Sequence, residues 1–277
     1  MSSKTYSKIH EFETTHLKSM AGTGVGAILT EESAFLNPAS LAFFTASTVY
    51  AQKDSDKYSE GNVVKSKPKA LGFVLTDANP TLSGSLSYVT QEEENISRKR
   101  WGLSLASPVS DKSAFGISIR QTNDEDIVAK TTLKYYQTVL GVTHSVDEKF
   151  SIGIVAYDPL ESKGKETKAL IGLQYVLLNY ITGNFDFGGD YTQDDLSKTL
   201  QYKAAMQIKV LDDFFLRVGG FSDKARAEKG SGFGLAWIQP RLSFEFAIKN
   251  TKRAQDTILK QTDANFKETS FAASIRF

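Results

Sequence analysis

Residues able to do covalent or metal chemistry are few in this chain of 277 residues. It has no cysteine and 3 histidines, His10, His16 and His144. Without cysteine there is neither a disulfide nor a thiolate metal site, a composition that fits an oxidising compartment. His10 and His16 are too far apart in sequence to share one face of a helix turn. They read as solvated polar residues of an N-terminal arm. His144 is followed by Ser145 at a strand end. Neighbours along a strand point to opposite faces, so this imidazole cannot activate this hydroxyl within one strand. No other grouping has the spacing of metal ligands. We therefore read no catalytic residue, no metal and no cofactor, and expect the chain not to be an enzyme. What remains is charge, and what charge can do depends on the elements that aim it.

The net charge is +1, with 33 basic and 32 acidic side chains. That excludes a nucleic-acid partner held by bulk electrostatics. No apolar run is long enough for a transmembrane helix. Transmembrane strands escape that test, because they alternate and look hydrophilic on average.

The pattern that organises the chain is alternation. In its last stretch Phe271, Ala273, Ile275 and Phe277 share one face of a strand, and Ser270, Ala272, Ser274 and Arg276 share the other. From residue 45 onward the same pattern recurs with hardly a break. Candidate strands are 45–53, 69–77, 82–91, 98–107, 113–122, 130–144, 149–157, 167–178, 183–191, 199–210, 214–222, 231–238, 241–250 and 266–277. That is about 14 segments, each near the length that crosses a bilayer when tilted. Tight turns rich in Asn, Asp, Pro and Ser alternate with longer polar stretches, the longest being 54–68 and 251–265. Bacterial barrels sort their connections in this way, with short turns on the periplasmic side.

The expected fold is therefore all-β: a transmembrane antiparallel β-barrel (residues 45–277) preceded by an N-terminal arm (residues 1–44). Lipid offers no partner to a backbone amide, so the strands must close on themselves and turn their apolar faces outward. The inward face then carries Arg98, Arg100, Arg120, Lys203, Lys209, Arg217, Arg241, Glu245, Lys249 and Arg276, with Asn184, Asp186 and Asp190. Two readings of this excess of bases stay open. They form salt bridges in a wet lumen, or they make a basic wall facing an anionic guest or the arm's acids. Tyr88, Trp101, Tyr157, Tyr175, Tyr191 and Trp237 sit near strand ends and read either as boundary girdles or as lipid-facing bulk.

A barrel this wide leaves a lumen that its side chains cannot fill. The arm is the spare chain. It holds Gly22, Gly24 and Gly26, whose spacing and context are wrong for a dinucleotide loop. Thr30 is placed to cap a short helix with Glu31 and Glu32 in its first turn. Asn37-Pro38 ends that helix and starts another, followed by Ala39-Ser40-Leu41. The Gly-x-Gly stretch, the short helix and Asn-Pro-Ala-x-Leu, ahead of a train of strands that ends in Phe277, resemble the FadL family of outer-membrane transporters and their PorV-like relatives.

The resemblance implies that residues 21–44 fold into the lumen as a hatch and that Glu31 or Glu32 approaches an inward Arg or Lys. It implies that Phe271, Ile275 and Phe277 are read by the barrel-assembly machinery. It further implies a bacterial outer-membrane location amid lipid and lipopolysaccharide, with a leader removed from the N-terminus, where no apolar signal core is found. The function it implies is passive transport of small hydrophobic or amphipathic compounds, with such a ligand or a detergent in the lumen. The alternative is a PorV-like accessory barrel binding a protein partner in secretion or surface attachment. FadL transporters carry larger outer loops, so the resemblance does not extend to their outer capture site. Gly84 and Gly188-Gly189 mark either a wall defect or close packing against the arm.

Overall fold

The computed structural model describes residues 9–61, 63–93, 95–162, 167–193, 195–254 and 263–277. Its strands are β1 (Thr48–Glu60), β2 (Val63–Ser66), β3 (Lys69–Asp77), β4 (Ser83–Glu93), β5 (Ile96–Ser110), β6 (Ser113–Asp126), β7 (Thr131–Ser145) and β8 (Phe150–Tyr157). There follow β9 (Lys168–Leu177), β10 (Ile181–Gly189), β11 (Gln201–Lys209), β12 (Phe214–Asp223), β13 (Glu228–Ile238), β14 (Leu242–Arg253) and β15 (Ala264–Arg276). Each barrel strand pairs antiparallel with its sequence neighbours, and β15 returns to β1, so that 14 of the 15 strands close a barrel. β2 is a short ribbon on the upper part of β1. Beyond the last barrel residues, Phe277 and Ser47 exchange backbone hydrogen bonds of 3.0 and 3.1 Å and extend the seam.

The wall is inside out relative to a soluble protein. Trp101 is 49% exposed while Arg100, its neighbour on β5, is 4% exposed. Leu71, Phe73 and Leu75, Leu103 and Leu105, Phe271 and Ile275 line the outer surface. Arg98, Arg120, Thr122, Asn184, Asp186 and Arg217 are buried within. This follows from the solvent: hydrocarbon wets the outside and water the middle.

The rim that holds Thr48, Phe277 and the tight turns is called the near rim, and the opposite one the far rim. All the expected strands form, but several run past their expected far ends. β1 continues to Glu60, β6 to Asp126 and β14 to Arg253, while β5 starts at Ile96 and β13 at Glu228. The expected long stretches at 92–97, 123–129 and 223–230 therefore shrink to short turns. Above the apolar band both faces of the wall meet water. Alternation stops there while the ladder of hydrogen bonds continues. Most of the 251–265 connection and the first eight residues of the arm lie outside the described residues.

Residues 9–44 run inside the barrel. His10 lies against Gln91, Glu228 and Arg253 at the far rim, so the arm starts there rather than on the near, Phe277 side. It crosses the lumen and leaves at the near rim into β1. α1 (Thr15–Ser19) is capped by Thr14, whose Oγ1 accepts from Leu17 N at 3.2 Å. So short a helix leaves no period in the sequence. The turn at Glu31–Ala34 is 3-10 and lacks the expected cap. Thr30 itself is helical in φ and ψ, so its side chain is not presented to the amides that follow. Asn37 does cap the next 3-10 turn, Pro38–Phe43, accepting from Ala39 N at 3.1 Å with Pro38 in the first turn.

Wall glycines let the arm's backbone approach. A Cβ on Gly116 would strike Pro38 and Ala39, one on Gly153 the Val25 carbonyl, and one on Gly232 the Lys18 carbonyl. Gly84 and Gly188 are not among these contacts. Each faces only adjacent strands, and the ladder is continuous through both.

Candidate functional site

Wall side chains button the arm in place by its backbone. Gly22 (φ 76°) and Gly24 (φ 142°) adopt a conformation that L side chains resist, and this turns two successive amides outward. The Asp186 carboxylate on β10 accepts from Gly24 N at 2.8 Å and Val25 N at 3.1 Å. Gly26 fits because a Cβ there would meet the backbone of Gly172 on β9. Asn37 donates to Val25 O at 2.8 Å and to Thr143 Oγ1 at 3.0 Å. Arg120 donates to Phe35 O at 2.7 Å, Tyr157 to Leu36 O at 2.8 Å, and Lys203 to Gly22 O at 2.9 Å. Ala39 and Leu41 are buried, like Asn37 and Pro38.

Between arm and wall lies a cavity that is partly open to solvent. One side is apolar: Phe12, Leu17, Phe35 and Leu36 from the arm meet Val139 and Tyr157 from the wall. The other is polar and mixed in charge, with Glu11, Glu13 and Asp158 beside Arg120, Lys168 and Lys203. Tyr157 sits under two cations, Arg120 at 5.7 Å and Lys168 at 5.1 Å from its ring centre. This corrects its reading as a lipid-facing aromatic. The cavity floor is a buried apolar cluster of Leu17, Val25, Leu36, Val139, Val155 and Leu170. A second cavity opens below it toward the near rim, lined by Leu29, Glu31, Glu32, Glu245, Arg217 and Arg276.

The wall bases meet acids, and the direct salt bridges from the arm come from residues not singled out in the sequence. Arg100 pairs with Glu11 at 2.5 Å and Lys249 with Glu13 at 2.6 Å, while Arg217 is taken by Glu245 on the wall at 3.0 Å. Glu11 and Glu13, two apart on an extended stretch, share a face. That spacing was the available signal, and it was missed. Lys18 of α1 reaches Asp54 at 3.0 Å and Glu268 at 2.9 Å. Glu31 and Glu32 are inside the barrel, and Glu31 lies near enough to Arg276 to feel its charge, although among the described residues neither is in a salt bridge. Glu31 shares the lower cavity with Arg276, and Glu32 accepts from Thr14 Oγ1 at 2.9 Å. Burial, and then the charges of Glu31 and Glu245, push the Glu32 carboxyl up to about 8. Burial first and Glu245 next raise Glu31 as well. By contrast burial opposes ionisation of Glu11, but the charge and hydrogen bond of Arg100, with the charges of Arg120 and Arg98, together hold it well below the usual carboxylate range.

Two expected lumen residues lie elsewhere. Arg241 is exposed in the turn between β13 and β14, and Lys209 is at the near rim, 3.5 Å from Asp212 of the adjoining turn. Phe271, Ile275 and Phe277 are on the outer surface, Phe277 being 71% exposed. His144 Nδ1 lies 2.8 Å from Ser113 Oγ on the neighbouring strand β6, not from Ser145. No carboxylate orients this imidazole among the described residues, so the pair lacks the third member of a hydrolase triad.

Solved structures share this architecture. The CymD monoaromatic hydrocarbon channel superposes with a TM-score of 0.76 at 11% identity, over 95% of this chain and 97% of that one. The chain has the fold of these channels. The Pseudomonas putida toluene transporter TodX gives 0.73 at 9% identity, over 96% and 98% of the two chains. A Pseudomonas aeruginosa FadL homologue gives 0.58 at 14% identity, over 95% and 98%. No family model matches the chain, and no curated protein matches it in sequence.

Proposed function

We propose that this protein is an outer-membrane channel of FadL-like type, carrying small hydrophobic or amphipathic compounds passively, with residues 9–44 as its hatch. The observation that carries the reading is the pocket of Phe12, Leu17, Phe35, Leu36 and Val139 inside a lumen that is otherwise polar. A barrel that served only as a scaffold gains nothing from an apolar hollow in its wet centre, whereas cargo does. The near rim is periplasmic, the cargo enters from the far rim, and lipopolysaccharide surrounds the outer leaflet. Phe277 with Ile275 and Phe271 is the mark read by the assembly machinery. No covalent chemistry is required of any residue.

Uptake into liposomes tests this. Labelled fatty acid and toluene should enter protein-containing vesicles faster than empty ones, while planar-bilayer conductance stays silent because the arm fills the bore. Equal uptake would remove the channel reading. A steady ion current would replace it with an open porin.

The many hydrogen bonds that fix the arm's backbone favour a second reading, a PorV-like accessory barrel with a permanently seated plug. Recovery of a stoichiometric protein partner from native membranes, with no uptake, would support it.

A further inference from the structure

We propose that Glu31, Glu32 and Glu245 form a proton-held latch over the near-rim mouth of the lumen. The arm stays seated there while the three carboxyls hold a proton among them, and it lifts when all three are ionised. This needs only the arm's place in the barrel, so it stands or falls apart from the cargo reading.

The first ground is how the arm is fastened. Wall side chains hold its backbone at Gly24 and Val25 through Asp186, and at Gly26 through the Ser151 hydroxyl at 2.6 Å. They hold it again at Ala34, Phe35 and Leu36 through Arg120 and Tyr157. Between these points, among the described residues, the backbone of residues 27–33 bonds only within the arm. Ala27 N donates to Gly24 O, Ser33 N to Thr30 O, and the Ser40 hydroxyl to Leu29 O. The stretch is a bow fastened at its two ends, free to move without releasing either. Its inner side faces the lower cavity, and there its acids make the polar contacts: Glu31 with the Ser274 hydroxyl, Glu32 with Thr14.

The second ground is a count of charge. The bow's two carboxyls meet Glu245 from β14, Arg217 from β12, Arg276 from β15, His16 from α1 and the Tyr50 phenol from β1. Arg217 is taken by Glu245 at 3.0 Å and by Gln207 at 2.7 Å. Arg276 acts on Glu31 through its charge. Tyr50 gives its proton to Gln52, and His16 is held neutral by burial and then by Arg217. Three carboxyls therefore face two guanidinium groups, and a single proton closes the balance. Glu31 Oε1 and Glu245 Oε2 are buried without a hydrogen-bond partner among the described residues. A neutral acid tolerates that better than a carboxylate does.

Lifting returns the carboxyls to water, where they ionise in the ordinary range. The seated arm thus binds the extra proton, and its hold weakens as pH rises from about 4.5 toward the Glu32 value of about 8.

The chain has no cysteine, so a single thiol can report the latch. Thr30→Cys places one in the bow, at a position 8% exposed on the lower cavity and without a capping bond. Ser110→Cys places a reference thiol on an exposed near-rim turn. Each full-length chain is labelled in detergent micelles with a water-soluble methanethiosulfonate. Dividing the bow rate by the reference rate removes the thiol's own dependence on pH. That ratio should rise about tenfold or more between pH 6 and pH 8.5. Glu32→Gln, added to Thr30→Cys, keeps an acceptor for Thr14 and leaves two carboxyls for two guanidinium groups, so the rise should vanish. Glu245→Gln should flatten it as well. Heat-modifiable migration selects the folded variants, and either substitution alone decides. A ratio that stays level in the parent overturns the proposal, as does a rise that persists undiminished in a folded variant.

Discussion

The upper and lower halves of the arm carry the same kind of charge and treat it in opposite ways. Above, Glu11 and Glu13 meet Arg100 and Lys249 across the lumen. Below, Glu31 and Glu32 turn toward a third acid, Glu245, whose own base Arg217 is already engaged. His16 stands beside them and is kept neutral by burial and then by Arg217. The upper half is tied by ions. The lower half is held by backbone contacts and by protons. One segment within one tube thus has two anchors that respond oppositely to the medium.

The largest expected effect comes from cutting an ionic tie. Lys18 is 3% exposed and Asp54 is 1% exposed. Lys18→Met leaves Asp54 and Glu268 buried without their cation, a loss of about 3–5 kcal/mol. Unfolding in urea, followed by the mobility shift of the barrel, should register it. A change below about 1 kcal/mol would mean that water already serves these acids.

Next is Asp186→Ala, which strands the amides of Gly24 and Val25 at a cost of about 1–3 kcal/mol. Amide exchange at these two residues should accelerate well before that of the strands. Unchanged exchange would show that packing alone seats the loop.

The pH response separates the two halves directly. Glu32 titrates at about 8 in place against an ordinary 4.5, so the seated arm binds the extra proton between these values. Its contribution is full below about 4.5 and is lost as pH rises toward 8. Glu11 is displaced downward, so its contribution is present above 4.5 and is lost as pH falls below that value. Raising the pH from 5 to 8 should loosen residues 30–36 in hydrogen exchange and leave residues 10–13 protected. Glu32→Gln should reduce the first response. A parallel response in both halves would abolish the contrast.

The smallest effect belongs to His144→Ala. The residue is exposed at the rim and, among the described residues, its ring is bonded to Ser113 alone, so stability and uptake should stay within about 0.5 kcal/mol and experimental error.

The barrel was legible because its solvent writes a period of two into every strand within the apolar band. The rim was less so: residues such as Asn123 to Asp126 are polar on both faces, and only the ladder shows that they belong to β6. The arm was legible at Asn37-Pro38, where cap chemistry is local, and at Gly22 and Gly24, where backbone conformation demands glycine. It was not legible at α1, which is too short for a period, nor in the choice of partners. That Glu11 closes a salt bridge with a wall base, while Glu31 only shares a cavity with one, depends on which way the arm threads the lumen. Nothing in the sequence of the arm itself encodes that direction. Tyr157 was misread for a related reason: an aromatic on an inward position looks like girdle until the cavity beneath it is seen.

One ammonium group bears on how the cylinder is made. Lys18 reaches Asp54 on β1 and Glu268 on β15, the two strands whose meeting closes the hoop, and Asp56 sits opposite Glu268 in that register. With the lumen empty, these three acids would lose Lys18 and keep only the more distant Lys249 of the wall as a neighbouring cation. The plug thus supplies charge to the seam itself: a hoop zipped around nothing would carry more repulsion along the zip than one that holds its contents.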